Sequence, residues 1–183
     1  IGTSRVSVKR FDEHDTETLE AVYSYLDTYR DLVELEREQE MENHEDEIRA
    51  ISGQEREDRG RALLAMQGQD EGEDISGHLV KFLKAEKGTP LPEVAFGVGD
   101  LLMVAKHDPL REDNPTGTVT QVTNYSVTVA FESEPPSFVY DTGIRLDLYV
   151  NDITYQRMLD ALEELEHASG RLVALRDIIA GRS

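Results

Sequence analysis

Gly117-Thr118-Val119-Thr120-Gln121-Val122, the link Thr123-Asn124-Tyr125, and Ser126-Val127-Thr128-Val129-Ala130-Phe131 form the stretch that decides the fold. Val, Thr and Phe alternate with polar residues on both sides of a short polar link. That period of two is the mark of two strands joined by a tight hairpin. Working outward, Arg61 to Gln67, Gly77 to Lys84, Leu101 to Ala105 and Ile144 to Tyr149 carry the same short period, separated by turn-forming Gly, Pro, Asn and Asp. Six short strands between residues 60 and 149 predict a small closed or nearly closed antiparallel β-barrel, because closure removes exposed strand edges. The acidic stretch Gln69 to Asp74 and the segment around Pro135 and Pro136 are expected as surface loops.

On either side of this β region the period becomes helical. Leu19, Val22, Leu26, Tyr29 and Val33 follow the three-and-four spacing of a heptad seam, which resumes after a phase shift at Met41, His44, Ile48 and Ile51. A long helix is predicted over 16–59, capped by Asp15 or Thr16, with Ser52 and Gly53 able to bend or end it. Asn151 or Asp152 caps a second helix with a seam at Tyr155, Met158, Leu162 and Leu165. His167 to Gly170 is expected to break it before a last short helix from Arg171 to Ile179, stopped by Gly181. The fold class is therefore α+β: a small antiparallel barrel carried at the tip of an antiparallel, coiled-coil-like helical stalk. The divisions are 1–15 as lead-in, 16–59 as stalk helix, 60–149 as barrel and 150–183 as the returning helices.

The sequence contains no cysteine, which excludes disulfides, thiolate metal sites and a cysteine nucleophile. No apolar run is long enough to cross a bilayer and no signal-peptide pattern opens the chain, so no membrane association and a cytoplasmic location are expected. The chain begins at Ile1 and is read as an internal piece of a longer protein. Its 38 acidic residues against 19 basic ones give a net charge of -19. Three readings of that excess are disorder, an acidic interaction surface, and adaptation to a salt-rich cytoplasm; clear periodicity opposes the first, and scarce lysine points to the third, a halophilic source.

Four of the five lysines, Lys81, Lys84, Lys87 and Lys106, lie between Ile75 and His107, where they face only Glu86, Glu93 and Asp100. This is the least repulsive place on the chain for a phosphate. The five histidines are scattered over different elements without metal-ligand spacing, and no Gly-Lys pair exists to open a phosphate-cradling loop. Nothing singles out an acid and base pair among the many carboxylates. By itself the chain is expected to hydrolyse nothing and to hold no cofactor or metal.

Arg59-Gly60-Arg61-Ala62-Leu63-Leu64, Ser76 to Lys84 leading to Leu91-Pro92 and Gly99-Asp100, and the 117–131 hairpin resemble the barrel of superfamily 1B helicases of the immunoglobulin-mu-binding and Up-frameshift type. Most specific are Arg145-Leu146-Asp147-Leu148 running into Asn151-Asp152-Ile153-Thr154-Tyr155-Gln156-Arg157-Met158, with Ala161-Leu162 after it. The closing Ala180-Gly181-Arg182-Ser183 is similar to that family's link into its first motor domain. The resemblance implies an accessory barrel on a stalk above RecA-like motor domains. There the barrel helps to grip single-stranded DNA or RNA while the parent protein binds ATP and Mg²⁺ and moves 5′ to 3′. The residues nominated for strand contact are Lys81, Lys84, Lys87, Lys106 and His107, with Tyr125 at the hairpin tip as a stacking side chain. Two other readings are an acidic module that recruits a protein partner without touching nucleic acid, and a self-standing dimeric coiled-coil protein.

Overall fold

The structure, a computed structural model, describes the backbone of residues 13–179 and the side chains of residues 17–174. Most of the predicted lead-in and the closing Ala180 to Ser183 lie outside the described residues. The chain divides into two compact units, one made of residues up to Leu35 together with those from Gln156 onward, the other of Glu36–Tyr155.

The second unit holds the sheet. Strands β1 (Ala62–Asp74), β2 (Gly77–Lys84), β3 (Leu101–Ala105), β4 (Thr116–Val122), β5 (Ser126–Phe131) and β6 (Ile144–Val150) pair antiparallel throughout. Their order, β1-β2-β5-β4-β3-β6, closes because β6 pairs back onto β1. Alternation fills the interior: Val80 and Phe82 from β2, Val127 and Val129 from β5, and Leu146 from β6 are all fully buried. A bulge between Leu63 and Met66 bends β1, and Ala65 adopts a left-handed φ of +53° there.

The acidic stretch 69–74 departs from expectation, since it is not a loop but the outer half of β1, paired with β2 as far as Asp74 opposite Gly77. Its carboxylates point into solvent on a two-stranded ribbon, so nothing requires an apolar alternation there. A 3₁₀ turn, Ser137–Tyr140, follows the proline segment.

Helix α1 runs Glu13–Ala50, so Asp15 and Thr16 lie inside it and do not cap it. Ser52 ends the run by capping a separate short helix, α2 (Gly53–Asp58), through a side-chain oxygen that accepts from the Glu55 N–H at 3.1 Å. Helix α3 spans Asp152–Ile179 without the expected break at His167 to Gly170. A single glycine costs a helix only about 1 kcal/mol, which tertiary packing overrides. Here Gly170 lies beside α1, where an added Cβ would meet the Tyr23 hydroxyl at 3.8 Å.

Within the first unit, Leu26 and Val33 of α1 and Leu162 of α3 are buried, and Arg30 Nη2 donates to Glu166 at 2.8 Å. The pairs Tyr23 with Gly170 and Arg30 with Glu166 run in opposite senses along the two helices, which makes the pair antiparallel. The predicted seam is half realised: Val22 and Tyr29 are each 38% exposed.

Candidate nucleic-acid interface

Lys81 stands on β2 between the fully buried Val80 and Phe82, so its side chain leaves the opposite, outer face of the wall. Its cross-strand neighbours are Gln69 on β1 and Thr128 on β5. This outer surface is polar; Gln69 on it is exposed, while Thr128 is buried at 8% exposure.

Lys84, three residues on, is committed elsewhere. Its ammonium donates to a Glu57 carboxylate oxygen at 2.9 Å and to the Leu64 carbonyl at 2.7 Å, with both ionic side chains 12% exposed. The same Glu57 oxygen accepts the Leu64 N–H at 2.6 Å. Lys84 therefore ties α2 to the first strand.

Lys87 is exposed in the bend after β2, and that segment returns so that the Leu91 N–H donates to the Asn124 carbonyl at 2.8 Å. Asn124 belongs to the β4–β5 turn, where Thr123 Oγ1 accepts the N–H groups of Tyr125 at 3.3 Å and Ser126 at 3.0 Å. The turn holds Tyr125 outward with 52% of its surface exposed. The loop carrying Lys87 and the turn carrying Tyr125 thus meet at one end of the barrel.

Lys106 and His107 follow β3 and sit at the opposite end. The register shows it: Ala105 pairs with Arg145 at the start of β6, and the Val104 N–H donates to Pro115 just before β4. Lys106 donates to Asp141 at 2.8 Å, and Lys106 and His107 line a cavity of about 290 Å³ with Arg111, Asn114 and Phe138. The six nominated residues consequently fall into an outer-wall and hairpin group (Lys81, Lys87, Tyr125), a distal pair (Lys106, His107) and one internal tie (Lys84).

A larger cavity of about 570 Å³ lies between Arg37 and Met41 of α1 and the wall built by Leu101, Thr118 and Ala130. Arg37 grips Asp152 through Nε at 2.8 Å and Nη2 at 3.2 Å, and Tyr149 donates to Glu45 at 2.6 Å. Burial, then the Glu45 hydrogen bond and charge, pushes the Tyr149 hydroxyl up to about 12. Burial and Glu40 do the same to Tyr155, also to about 12.

Sequence reasoning missed the most connected cation, Arg56. Its side chain is fully buried and donates to Asp147 at 3.0 Å, to Glu47 at 3.0 Å, and to the carbonyls of Arg61 at 3.2 Å and Leu148 at 3.0 Å. His44 lies 3.5 Å from it, and burial first, then the guanidinium, holds His44 below the usual imidazole range. Arg56 sits in the hydrophilic run Gly53 to Asp58, where no local signal separates it from solvated neighbours. Among the described residues no three His, Asp or Glu side chains converge as metal ligands, and no helix is long and apolar enough to cross a membrane.

Residues 28–149, which include five strands and all but the last residue of the sixth, match the family described as Helicase SMUBP-2/HCS1, 1B domain. An uncharacterized ATP-dependent helicase of Methanocaldococcus jannaschii is 36% identical over 157 residues, covering 85% of this chain and 23% of that protein. The DNA-binding protein SMUBP-2 of Mesocricetus auratus is 31% identical over 173 residues, covering 90% of this chain and 17% of that protein; its Mus musculus counterpart is 31% identical over 170 residues. The chain thus spans about a quarter or less of the length of these relatives. A family match through nearly the whole sheet and relatives that cover most of the chain agree: this chain belongs to the SMUBP-2/HCS1 helicase family, as its 1B domain.

Proposed function

We propose that this chain is the accessory stalk and barrel of an ATP-dependent helicase and that it contacts or orients single-stranded nucleic acid beside RecA-like motor domains. The observation that carries the reading is the family match over residues 28–149. ATP and Mg²⁺ would be held by the motor domains of the parent protein, since the Gly-Lys pair of a phosphate-cradling loop does not occur in this sequence. The contact is assigned to the outer wall at Lys81 and the end formed by Lys87 and Tyr125, with Lys106 and His107 as a second locus. A cytoplasmic, salt-rich setting fits the charge of -19. At about molar ionic strength the Debye length is roughly 3 Å, so stacking on Tyr125 and direct hydrogen bonds carry more of the affinity than long-range attraction.

A second reading is favoured by one feature. The β1–β2 ribbon ends in Asp70, Glu71, Glu73 and Asp74 with a fully exposed Ile75 beside them, a surface suited to a basic protein partner. Titration of the chain with fluorescent single-stranded DNA and RNA, in dilute and in concentrated KCl, separates the two. Saturable binding weakened several-fold by Lys81→Ala with Tyr125→Ala supports strand contact. Saturable binding unchanged by those substitutions removes the outer-wall assignment, and no binding at either salt favours the protein-recruitment reading.

A further inference from the structure

His78 stands on the same face of β2 as the fully buried Val80 and Phe82 and is itself 9% exposed, at the point where the acidic ribbon begins. Its cross-strand neighbours are Glu73 on β1 and Phe131 on β5. Nε2 lies 3.2 Å from Asp70 Oδ1 and 3.3 Å from the Tyr140 hydroxyl. Nδ1 lies 3.5 Å from Glu73 Oε1, is buried, and makes no hydrogen bond. The two nitrogens leave the ring on different edges, so Asp70 and Glu73 flank the imidazole and share no common ligand point with it.

Those two carboxylates bracket an irregularity in the ribbon. The β1–β2 register shifts between Asp70 and Glu73, Gly72 takes a left-handed φ of +80° there, and its N–H donates to Asp70 Oδ1 at 2.8 Å. Among the described residues neither carboxylate pairs with a lysine or arginine, and the two side chains are 58% and 74% exposed.

A neutral imidazole carries one N–H and one bare lone pair. Whichever nitrogen holds the proton, one of the two carboxylates faces a lone pair, which repels it. Tyr140 does not change this. Burial first, then the charges of Asp70 and Glu134, holds its hydroxyl above the ordinary range, so it stays an O–H that can donate to a bare Nε2. An imidazolium donates from both nitrogens, to Asp70 and to Glu73 at once, through charge-assisted bonds. On the β5 side the next charged groups are Glu132, whose Cα lies beside Gly77, and Glu134 near Tyr140. Both are anionic, so no cation opposes the protonated state.

We infer that His78 is a proton-operated latch on the acidic ribbon: protonation staples Asp70 and Glu73 across the kink, and loss of the proton frees one of them and loosens the ribbon. The regulatory consequence rests on the protein-recruitment reading of the ribbon given above. Carboxylates held by His78 are withdrawn from a basic partner, so the ribbon docks such a partner less well in mild acid than at slightly alkaline pH. Plain pairing of carboxylates with lysines would not respond in that range, because neither group ordinarily titrates there.

NMR of the ¹⁵N-labelled chain at about pH 8 and about pH 5.5 tests the latch. Amide exchange of residues 71–74, corrected for its intrinsic pH dependence, should slow at least several-fold on acidification. It should not slow in His78→Gln, nor in Glu73→Ala, where the exposed side chain is removed without disturbing the fold. The same samples titrated with an end-blocked peptide of alternating lysine and leucine report docking through the amides of residues 71–75, separately from any binding along α1. The Kd read there should be several-fold larger at the lower pH in the wild type and equal at both in His78→Gln. Exchange that is equally protected at both pH values, or that slows just as much in both variants, overturns the latch. A latch that behaves as expected in a chain whose ribbon amides ignore the peptide at both pH values overturns the recruitment reading and the regulatory role that rests on it.

Discussion

Arg56 Nε donates to Asp147 Oδ1 at 3.0 Å, and the two side chains are 0% and 1% exposed. The pair joins α2 to β6 across 91 residues of sequence, and Asp147 is also held by Arg145 Nε at 2.6 Å and Nη2 at 2.9 Å. Two guanidinium groups on one buried carboxylate, with Glu47 as a further counter-ion of Arg56, leave each charge compensated. Removal of one partner strands the others.

The first prediction follows from that stranding. Arg56→Ala should lower unfolding stability by roughly 3–5 kcal/mol, because Asp147 loses a buried counter-ion and the Arg61 and Leu148 carbonyls each lose one donor. Asp147→Leu combined with Arg56→Met should cost clearly less than the sum of the single substitutions, since apolar groups then replace both ends. Urea midpoints of the three variants measure the coupling, and additive losses would refute it.

Lys84 gives a second, more discriminating prediction. Its ammonium is committed to Glu57 and the Leu64 carbonyl inside the fold. Lys84→Ala should therefore lower stability by roughly 1–3 kcal/mol and leave strand affinity, measured on the folded variant, unchanged within about twofold. Lys87→Ala should do the reverse, with a near-wild-type urea midpoint and weaker binding. A loss of affinity in folded Lys84→Ala would show that its ion pair opens to a ligand.

The contrast between these lysines shows where sequence legibility stopped. Charge type is readable residue by residue, whereas burial of a charge depends on a partner brought in by the fold, here Glu57 for Lys84 and Asp147 for Arg56. The strand at 117–122 was legible because one face lines the core and imposes a period of two, while 101–105 and 127–131, buried at nearly every residue, and 144–149 were legible as short apolar-rich runs bounded by turn formers. Residues 69–74 were not, because a two-stranded ribbon in solvent needs no apolar face. The heptad seam on α1 was legible as a seam, but the same spacing serves the buried Leu26 and Val33 and the 38% exposed Val22 and Tyr29 alike.

A third prediction concerns acid. His44 is held below its ordinary range by burial, then by the Arg56 guanidinium 3.5 Å away, against the opposing pull of Glu40 and Glu47. A histidine whose folded-state pKa is depressed binds a proton more readily in the unfolded chain, so protonation favours unfolding. Stability should be fully present above the unfolded value near 6.5 and should fall as pH drops from there toward the depressed folded value. His44→Gln should flatten the urea midpoint between about pH 7 and pH 5 relative to the wild type, whose midpoint declines. Equal slopes in both proteins would assign the acid sensitivity to other groups.

The fourth prediction tests the reading of the charge. A net charge of -19 on 183 residues repels itself in the compact state, and it does so most where acidic residues crowd, as along Glu34 to Glu40 and Asp70 to Asp74. Salt weakens surface ion pairs such as Arg111 with Asp113, 64% and 70% exposed, but those contribute little, about 0–1 kcal/mol each. The buried Arg56 network is screened far less. Self-repulsion therefore dominates the salt response, and the Tm should rise by several degrees from decimolar to molar KCl, reported by circular dichroism. Equal rises in KCl and NaCl would mark screening as the cause. A Tm that falls with salt would mean that the surface ion pairs outweigh the repulsion, and the excess of carboxylates would then have to be explained by a partner and not by the solvent.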